Sequence, residues 1–211
     1  MRNWLRWRLF EAQILTRWAL RWEHSRPIGA VGGVEIRLHN VWLSFLLFDA
    51  LSSSLTVPHK LPGWPLLAYP LLMLLAVLGI HVGVILPHEL AHAAVAKVAG
   101  RRVERIVIYG PGGCMMSQPR PDEPWWVLAL VAGIGPLTNL AFALCWCAAV
   151  RQFGSVGDAL QTPLGLLSFI MLWINVLAVA INSIPMPLVD GGLVAAAFRA
   201  RKARCTTAPV A

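Results

Sequence analysis

The chain has 211 residues, 57% of them hydrophobic and 13% charged, with a mean hydropathy of +0.64 and a formal net charge of +8. That apolar excess is more than a soluble domain of this length needs to fill its core, so composition points to an integral membrane protein. The basic balance does not point to nucleic acid, because no nucleic-acid motif accompanies it and the Lys and Arg residues gather at the ends of apolar stretches.

Residues 1–26 read as an amphipathic interfacial helix. At about 100° per residue Trp4, Trp7, Trp18 and Trp22 share one stripe, with Arg2, Arg6, Arg17 and Arg21 off it and Glu11 as an exception inside it. The pattern suits a membrane-surface anchor and a helix packed on the protein's own spans equally well. No uninterrupted apolar run of a secretory leader occurs there, so this segment is expected to be retained.

Four apolar stretches follow, each close to the roughly 20 helical residues that cross a bilayer. They are Ile36 to Val57, Leu66 to Leu86 with its helix continuing to about 99, Trp125 to Val150, and Leu164 to Ile184. With four spans, every Lys and Arg except Lys60 and Arg151 falls on one side, which places both termini in the cytoplasm of a multi-pass protein of the cell membrane. The membrane core is expected over 34–193 and a basic cytoplasmic tail over 194–211. Val103 to Tyr109 is rich in β-branched residues and reads as a strand, either an edge that pairs with an unwound peptide or part of a surface loop. The expected fold is therefore an all-α integral membrane protein with about four transmembrane helices and a short membrane-associated β-like loop.

Chemistry enters at His88-Glu89-Leu90-Ala91-His92. Residues four apart share a helix face, so both imidazoles can reach one metal ion while the Glu between them reaches a water on it. With six His and six Glu in the chain, chance supplies this pattern roughly 0.005 times. Glu89 also follows a long apolar run, where a charge costs about 2.5–3.5 kcal/mol, so a local reason for it is required. A zinc of this kind wants a third protein ligand and an open position. Of the remaining carboxylates, most lie in charged connections or before the first span, which leaves Asp49 and Asp190. Asp190 closes the run Asn182-Ser183-Ile184-Pro185-Met186-Pro187-Leu188-Val189-Asp190-Gly191-Gly192, whose prolines break the helix and whose glycines allow tight turns beside sheltered irregular backbone. The four cysteines form neither a disulfide framework nor a Cys-based zinc site: Cys145 and Cys147 diverge on a helix, and Cys114 and Cys205 have no spaced partner.

These two motifs together resemble the site-2 protease family of intramembrane zinc metalloproteases. Ile36-Arg37-Leu38-His39, Tyr109-Gly110-Pro111-Gly112-Gly113 and Gly135-Pro136-Leu137-Thr138-Asn139 also look like family segments, so the similarity runs from about Val34 to Leu193. The resemblance is to small core members without a PDZ or CBS domain, the sporulation-factor-processing branch among them. It implies one Zn2+ per chain held by His88, His92 and Asp190, with Glu89 as general base. It also implies that Asn139 assists catalysis, that Asn182, Gly112 and Gly113 line the site, and that the substrate is a single-span membrane protein cut within the bilayer.

Plainer readings exist for several residues. Asn139, Asn175 and Asn182 could serve interhelical packing. His81, seven before His88 and near the same helix face, could line the cavity or be an ordinary hydrogen-bonded histidine. Asp49 could be a proton group or part of a polar span end with Ser52 to Ser54, and His39 reads as interfacial. The rival functions are an inactive scaffold and a metal-binding or transport protein; the intact Glu89 and the Pro-Gly setting of Asp190 speak against them.

Overall fold

The computed structural model describes residues 24–56, 68–110, 112–121 and 123–206. A hairpin comes first: β1 (Ser25–Val31) and β2 (Val34–His39) run antiparallel around Gly32 and Gly33, whose φ values of 57° and 75° suit the tight two-residue turn that a right-twisted hairpin favours. Helix α1 (Trp42–Thr56) leads on to α2 (Ala68–Ile80), which passes through one π-helical turn at His81–Ile85 into α3 (Leu86–Val98). Strands β3 (Arg102–Tyr109) and β4 (Gly112–Gln118) form a second hairpin. The remaining helices are α4 (Trp125–Arg151), the short α5 (Val156–Ala159), α6 (Pro163–Asn182) and α7 (Asp190–Thr206).

The strands make one sheet in the order β1-β2-β3-β4, with β2 and β3 parallel and both hairpins antiparallel. Its inner face packs on α3: Val34 and Ile36 of β2, Ile106 and Ile108 of β3 and Ala93 form one core cluster, bordered by Trp42, Leu86 and Leu90. An adjoining face of α3, one turn on, meets α4 through Ala96, Val127 and Val131. α2 packs on α6 through Tyr69, Leu72, Met73, Leu166 and Ile170. Gly79 and Gly83 let Met171 of α6 come close, as small residues do between helices in lipid. Helix α3 is thus held between a sheet and a helix.

Three helical stretches among the described residues are long and apolar enough to cross a membrane: Tyr69–Val98, Trp125–Arg151 and Pro163–Asn182. They coincide with three of the four expected spans. The first expected span is corrected at its start, because Ile36 to His39 lie in β2 and the helix begins only at Trp42. Val34-Glu35-Ile36-Arg37-Leu38-His39 alternates apolar with polar, the period of a strand with one covered face. The helix left over has 15 residues, about 22 Å. The all-α expectation is corrected in the same way, since the expected β-like loop is half of a four-stranded sheet. Val103 to Tyr109 is not an edge; β3 has β2 on one side and β4 on the other, and β4 is the outer strand.

The expected interfacial helix lies outside the described residues up to 23, and Ser25 and Arg26 already belong to β1. Residues 194–206 continue α7, which packs on α4 through Phe198 against Trp125, with Arg201 over the same indole at 5.0 Å. Thr162 caps α6 by accepting from the Gly165 N–H at 3.1 Å, and Pro163 occupies the first turn, where its missing donor is not needed.

One ion pair fixes the start of α4 against the end of α3. Arg101, just past α3, donates from Nε to Glu123 Oε2 at 2.7 Å and from Nη2 to Oε1, and both side chains are buried. A pair of this kind is costly to break from one side, since the surviving charge stays in a dry place. Glu123→Gln and Arg101→Met should each destabilise the fold by about 3–5 kcal/mol, and the double replacement Arg101→Met with Glu123→Leu should recover much of that loss. Thermal unfolding in detergent micelles measures this; equal midpoints for wild type and both single variants would exclude a clamp here.

Candidate metal centre

His88 and His92 lie on one face of α3, which begins at Leu86-Pro87 with the proline in the first turn. Their Nε2 atoms stand 3.0 Å apart, with the rings edge-on at 79°. Asp190, in the first turn of α7, brings Oδ2 to 3.1 Å from His88 Nε2 and 3.3 Å from His92 Nε2. The three side chains are nearly buried, at 8%, 7% and 15% exposure.

The hydrogen bonds around the triangle set what it can hold. His92 Nδ1 donates to the Val131 carbonyl of α4 at 2.5 Å, which leaves Nε2 as a bare lone pair. A bare nitrogen 3.0 Å from a second ring nitrogen and 3.3 Å from a carboxylate oxygen is repelled by both unless a cation lies among them. Tetrahedral ligands at about 2.0–2.1 Å from a zinc ion stand about 3.3 Å from one another, and the observed separations of 3.0, 3.1 and 3.3 Å describe one face of such a tetrahedron. The group fits a metal ion, and no other set of His, Cys, Asp and Glu among the described residues comes together so closely.

The backbone near the centre is shaped by glycine. A methyl group on Gly135 of α4 would lie 2.3 Å from His92 Nε2 and 2.6 Å from His88 Nε2, so only glycine leaves room for the two imidazoles. The next residue, Pro136, cannot donate to the Ala132 carbonyl, so the helix is already opened at this turn. On the other side, a Cβ on Gly191 would meet the Ile184 carbonyl at 2.4 Å and one on Gly192 the Met186 carbonyl at 2.0 Å. The loop folds back on the first turn of α7, and Leu188 takes φ 77°, a left-handed conformation that costs a side-chain-bearing residue about 1–2 kcal/mol.

Glu89 is buried and turned towards β4. A Cβ on Gly113 would come 2.7 Å from Glu89 Cγ and 3.1 Å from Oε1, and the Met115 backbone N–H donates to the same carboxylate. Gly112 stands instead against the Tyr109 hydroxyl, 3.4 Å from the position of its Cβ. Burial pushes the Tyr109 phenol up to about 12, with Cys114 and Glu89 acting in the same direction. Burial likewise raises the Cys114 thiol, reinforced by Glu89 and Asp190. Both groups are therefore neutral near pH 7 and add no charge to the site.

The other expected residues are placed less directly. Asn139 is buried one turn beyond Gly135 on the same face of α4. Asn182 donates to the Ala178 carbonyl of its own helix at 3.0 Å, as Asn175 does to Met171 at 2.8 Å. His39 accepts from the Val41 N–H at 3.3 Å in the turn before α1. Asp49 has no described side chain. His81 faces the Val77 and Gly110 carbonyls, away from the metal triangle. Within the segment Gly135 to Asn139 the side-chain chemistry points to Asn139, while the sequence signal for Gly135 is the Gly-Pro pair inside an apolar span.

A His-x-x-x-His helix inside a multi-helix membrane fold, completed by a carboxylate from a later segment, defines a membrane-embedded metal-centre protein. The chain belongs to the Peptidase M50B-like family, whose family model matches residues 62–207. It is similar to Rip3 of Mycobacterium tuberculosis, named as a zinc metalloprotease, at 30% identity over 185 residues that cover 83% of this chain and 44% of that one. MJ0392 of Methanocaldococcus jannaschii, also named as a zinc metalloprotease, is 28% identical over 182 residues, covering 85% of this chain and 47% of the relative. The chain thus spans a little under half the length of these relatives. The solved site-2 protease from Methanocaldococcus jannaschii shares the fold, with a TM-score of 0.57 at 21% identity over 84% of this chain and 73% of that one. With three apolar helices of spanning length, the chain is a multi-pass membrane protein.

Gly135→Ala should force the two imidazoles apart and weaken metal retention by about 10–100-fold, whereas Gly133→Ala, where nothing lies within 4 Å of the new methyl, should leave it unchanged. Metal content of the purified variants by atomic emission distinguishes the two, and equal content in both would remove the centre from the position described.

Proposed function

We propose that the chain is a zinc-dependent intramembrane endopeptidase, with Zn2+ held by His88, His92 and Asp190 and with Glu89 as general base. The observation that carries this reading is the triangle of three ligand atoms at 3.0–3.3 Å with the buried Glu89 next in sequence to one of them. The names of the two curated relatives support the same metal and reaction. Zinc bound there supplies a Lewis acid that polarises a carbonyl and lowers the pKa of water towards about 7.

The chain's own groups then have distinct tasks. Glu89 takes a proton from the attacking water as the new C–O bond forms, and delivers it to the amide nitrogen as the peptide C–N bond breaks. The Met115 N–H holds the carboxylate, and Gly113 leaves room for it. Val131 fixes the ring of His92 through its carbonyl, so Nε2 stays aimed at the centre. In this reading Asn139, on the turn after Gly135, donates to the carbonyl under attack, and Asn182, Gly112 and Gly113 border the cleft.

A peptide bond in an α-helix is shielded by its own hydrogen bonds, so a membrane segment has to be extended before it reacts. Among the described residues β4 is an outer strand of the sheet and lies beside Glu89, and an unwound substrate strand pairs along it by β-augmentation. The substrate is a single-span membrane protein in a lipid bilayer. In the finer topology, α1 adds a fourth, shorter crossing, and the distribution of Lys and Arg puts both termini in the cytoplasm of the cell membrane.

Glu89→Gln should keep about one zinc per chain and lose about 10²–10⁴-fold in hydrolysis. Wild type should cut a single-span substrate carrying a Gly-Pro pair faster than an all-Leu span, because Gly and Pro lower helix stability by about 1 and 3 kcal/mol. Zinc analysis and mass-spectrometric mapping of products test both; a Gln variant that still cuts would remove Glu89 from the chemistry. For the topology, Arg120→Cys should resist membrane-impermeant thiol labelling of intact cells while Ser155→Cys reacts, and the reverse result would invert the orientation.

A further inference from the structure

His81 is buried at 5% exposure and has no part in the chemistry above. In an unbroken α-helix it would sit only about 20° from His88, at 100° per residue over seven residues. The π-helical turn His81–Ile85 inserts an extra residue between them and rotates the upstream helix by about 100°. His81 consequently turns to the β3–β4 hairpin. Its Nε2 lies 2.9 Å from the Gly110 carbonyl and its Nδ1 2.8 Å from that of Val77 on its own helix.

Gly110 is where three elements meet. A Cβ there would lie 2.6 Å from Phe45 Cγ of α1, and Trp42 of the same helix stands edge-on to the His81 ring with centroids 5.4 Å apart. The hairpin that starts at Gly110 returns as β4, and two residues of β4, Gly113 and Met115, contact Glu89. Among the described residues β4 has a strand neighbour on one side only. Its position over Glu89 therefore depends on β3, on the packing beneath it, and on the turn at Gly110.

We propose that His81 is a positioning residue: its hydrogen bond to the Gly110 carbonyl ties the hairpin turn to the same helix that carries Glu89, and so sets the place of the β4 edge over the catalytic carboxylate. The π turn is the device that points the ring there. The kinetic part of this proposal rests on the proteolytic reading above; the structural part does not.

A neutral imidazole has one N–H and donates to only one of these two carbonyls; Asn and Gln tell which, because the Asn amide nitrogen reaches about where Nδ1 sits and the Gln amide nitrogen about where Nε2 sits. His81→Leu and His81→Asn should lose about tenfold in kcat/KM on a single-span substrate, while His81→Gln keeps it within about threefold. All three should retain about one zinc per chain. Amide hydrogen exchange over 112–118 in the detergent-solubilised full chain should quicken in the Leu and Asn variants and not in the Gln variant. The proposal is overturned if Asn restores function as well as Gln, if Leu leaves both kcat/KM and exchange unchanged, or if zinc is lost in step with activity. Should wild type cut no span at all, the proteolytic reading fails, and the exchange pattern by itself still decides whether His81 holds the hairpin.

Discussion

Two imidazole nitrogens and a carboxylate oxygen, 3.0–3.3 Å apart in a nearly dry pocket, are the constraint on which the rest of this structure depends. Left to themselves these atoms repel one another, so the fold has to hold them together until a cation is present. It does so from three directions. The sheet packs on α3 through Ala93, α4 packs on the adjoining face through Ala96, and the loop before α7 delivers Asp190. The Val131 carbonyl locks one ring, and the bare Cα of Gly135 lets α4 approach both. A collection of acceptors that looks unfavourable in isolation becomes a preorganised metal cradle.

The lipid setting imposes a second condition, that backbone polar groups be paired unless something else is meant to pair with them. The two inner strands obey it: β2 and β3 each have neighbours on both sides. Among the described residues β1 and β4 are the outer strands, and β4 is the one that lies beside Glu89. Gly113 and Met115 of the same strand attend the carboxylate, so the surface that would align an extended peptide and the group that would move its proton belong to one rigid piece. Placing template and base together in this way removes a source of misalignment that would otherwise weaken a reaction so dependent on geometry.

How much of this was legible in the chain differs by element. His88, Glu89 and His92 were readable because a four-residue spacing on a helix is a local property, and Asp190 because carboxylates are scarce and its neighbours are Pro and Gly. The three long spans were readable from apolar length alone. Ile36 to His39 goes to the first span if apolar residues are counted and to β2 if the two-residue alternation of Val34 to His39 is weighed first. That β3 is an inner strand is not legible locally, because its partner β2 lies some seventy residues earlier, a pairing no local pattern announces. His81 was placed on the face of His88 by a helical wheel that assumes a constant turn, and one π turn voids the assumption.

The Asp190 side of the centre shows why the third ligand comes from a broken segment rather than from another regular helix. α6 ends at Asn182, and the chain must reverse within a few residues to start α7 with a carboxylate aimed at α3. A continuous helix would spread successive side chains by about 100° and keep its carbonyls on its own axis. The irregular loop instead stacks the Ile184 and Met186 carbonyls against the bare Cα atoms of Gly191 and Gly192 and accepts a left-handed Leu188. The gain is that Asp190 sits in a helix first turn, where the N-terminal end of the helix favours a negative charge. The same dipole that steadies the carboxylate in a low-dielectric pocket keeps it ionised, and an ionised oxygen is what two neutral imidazoles need beside them to bind a dication.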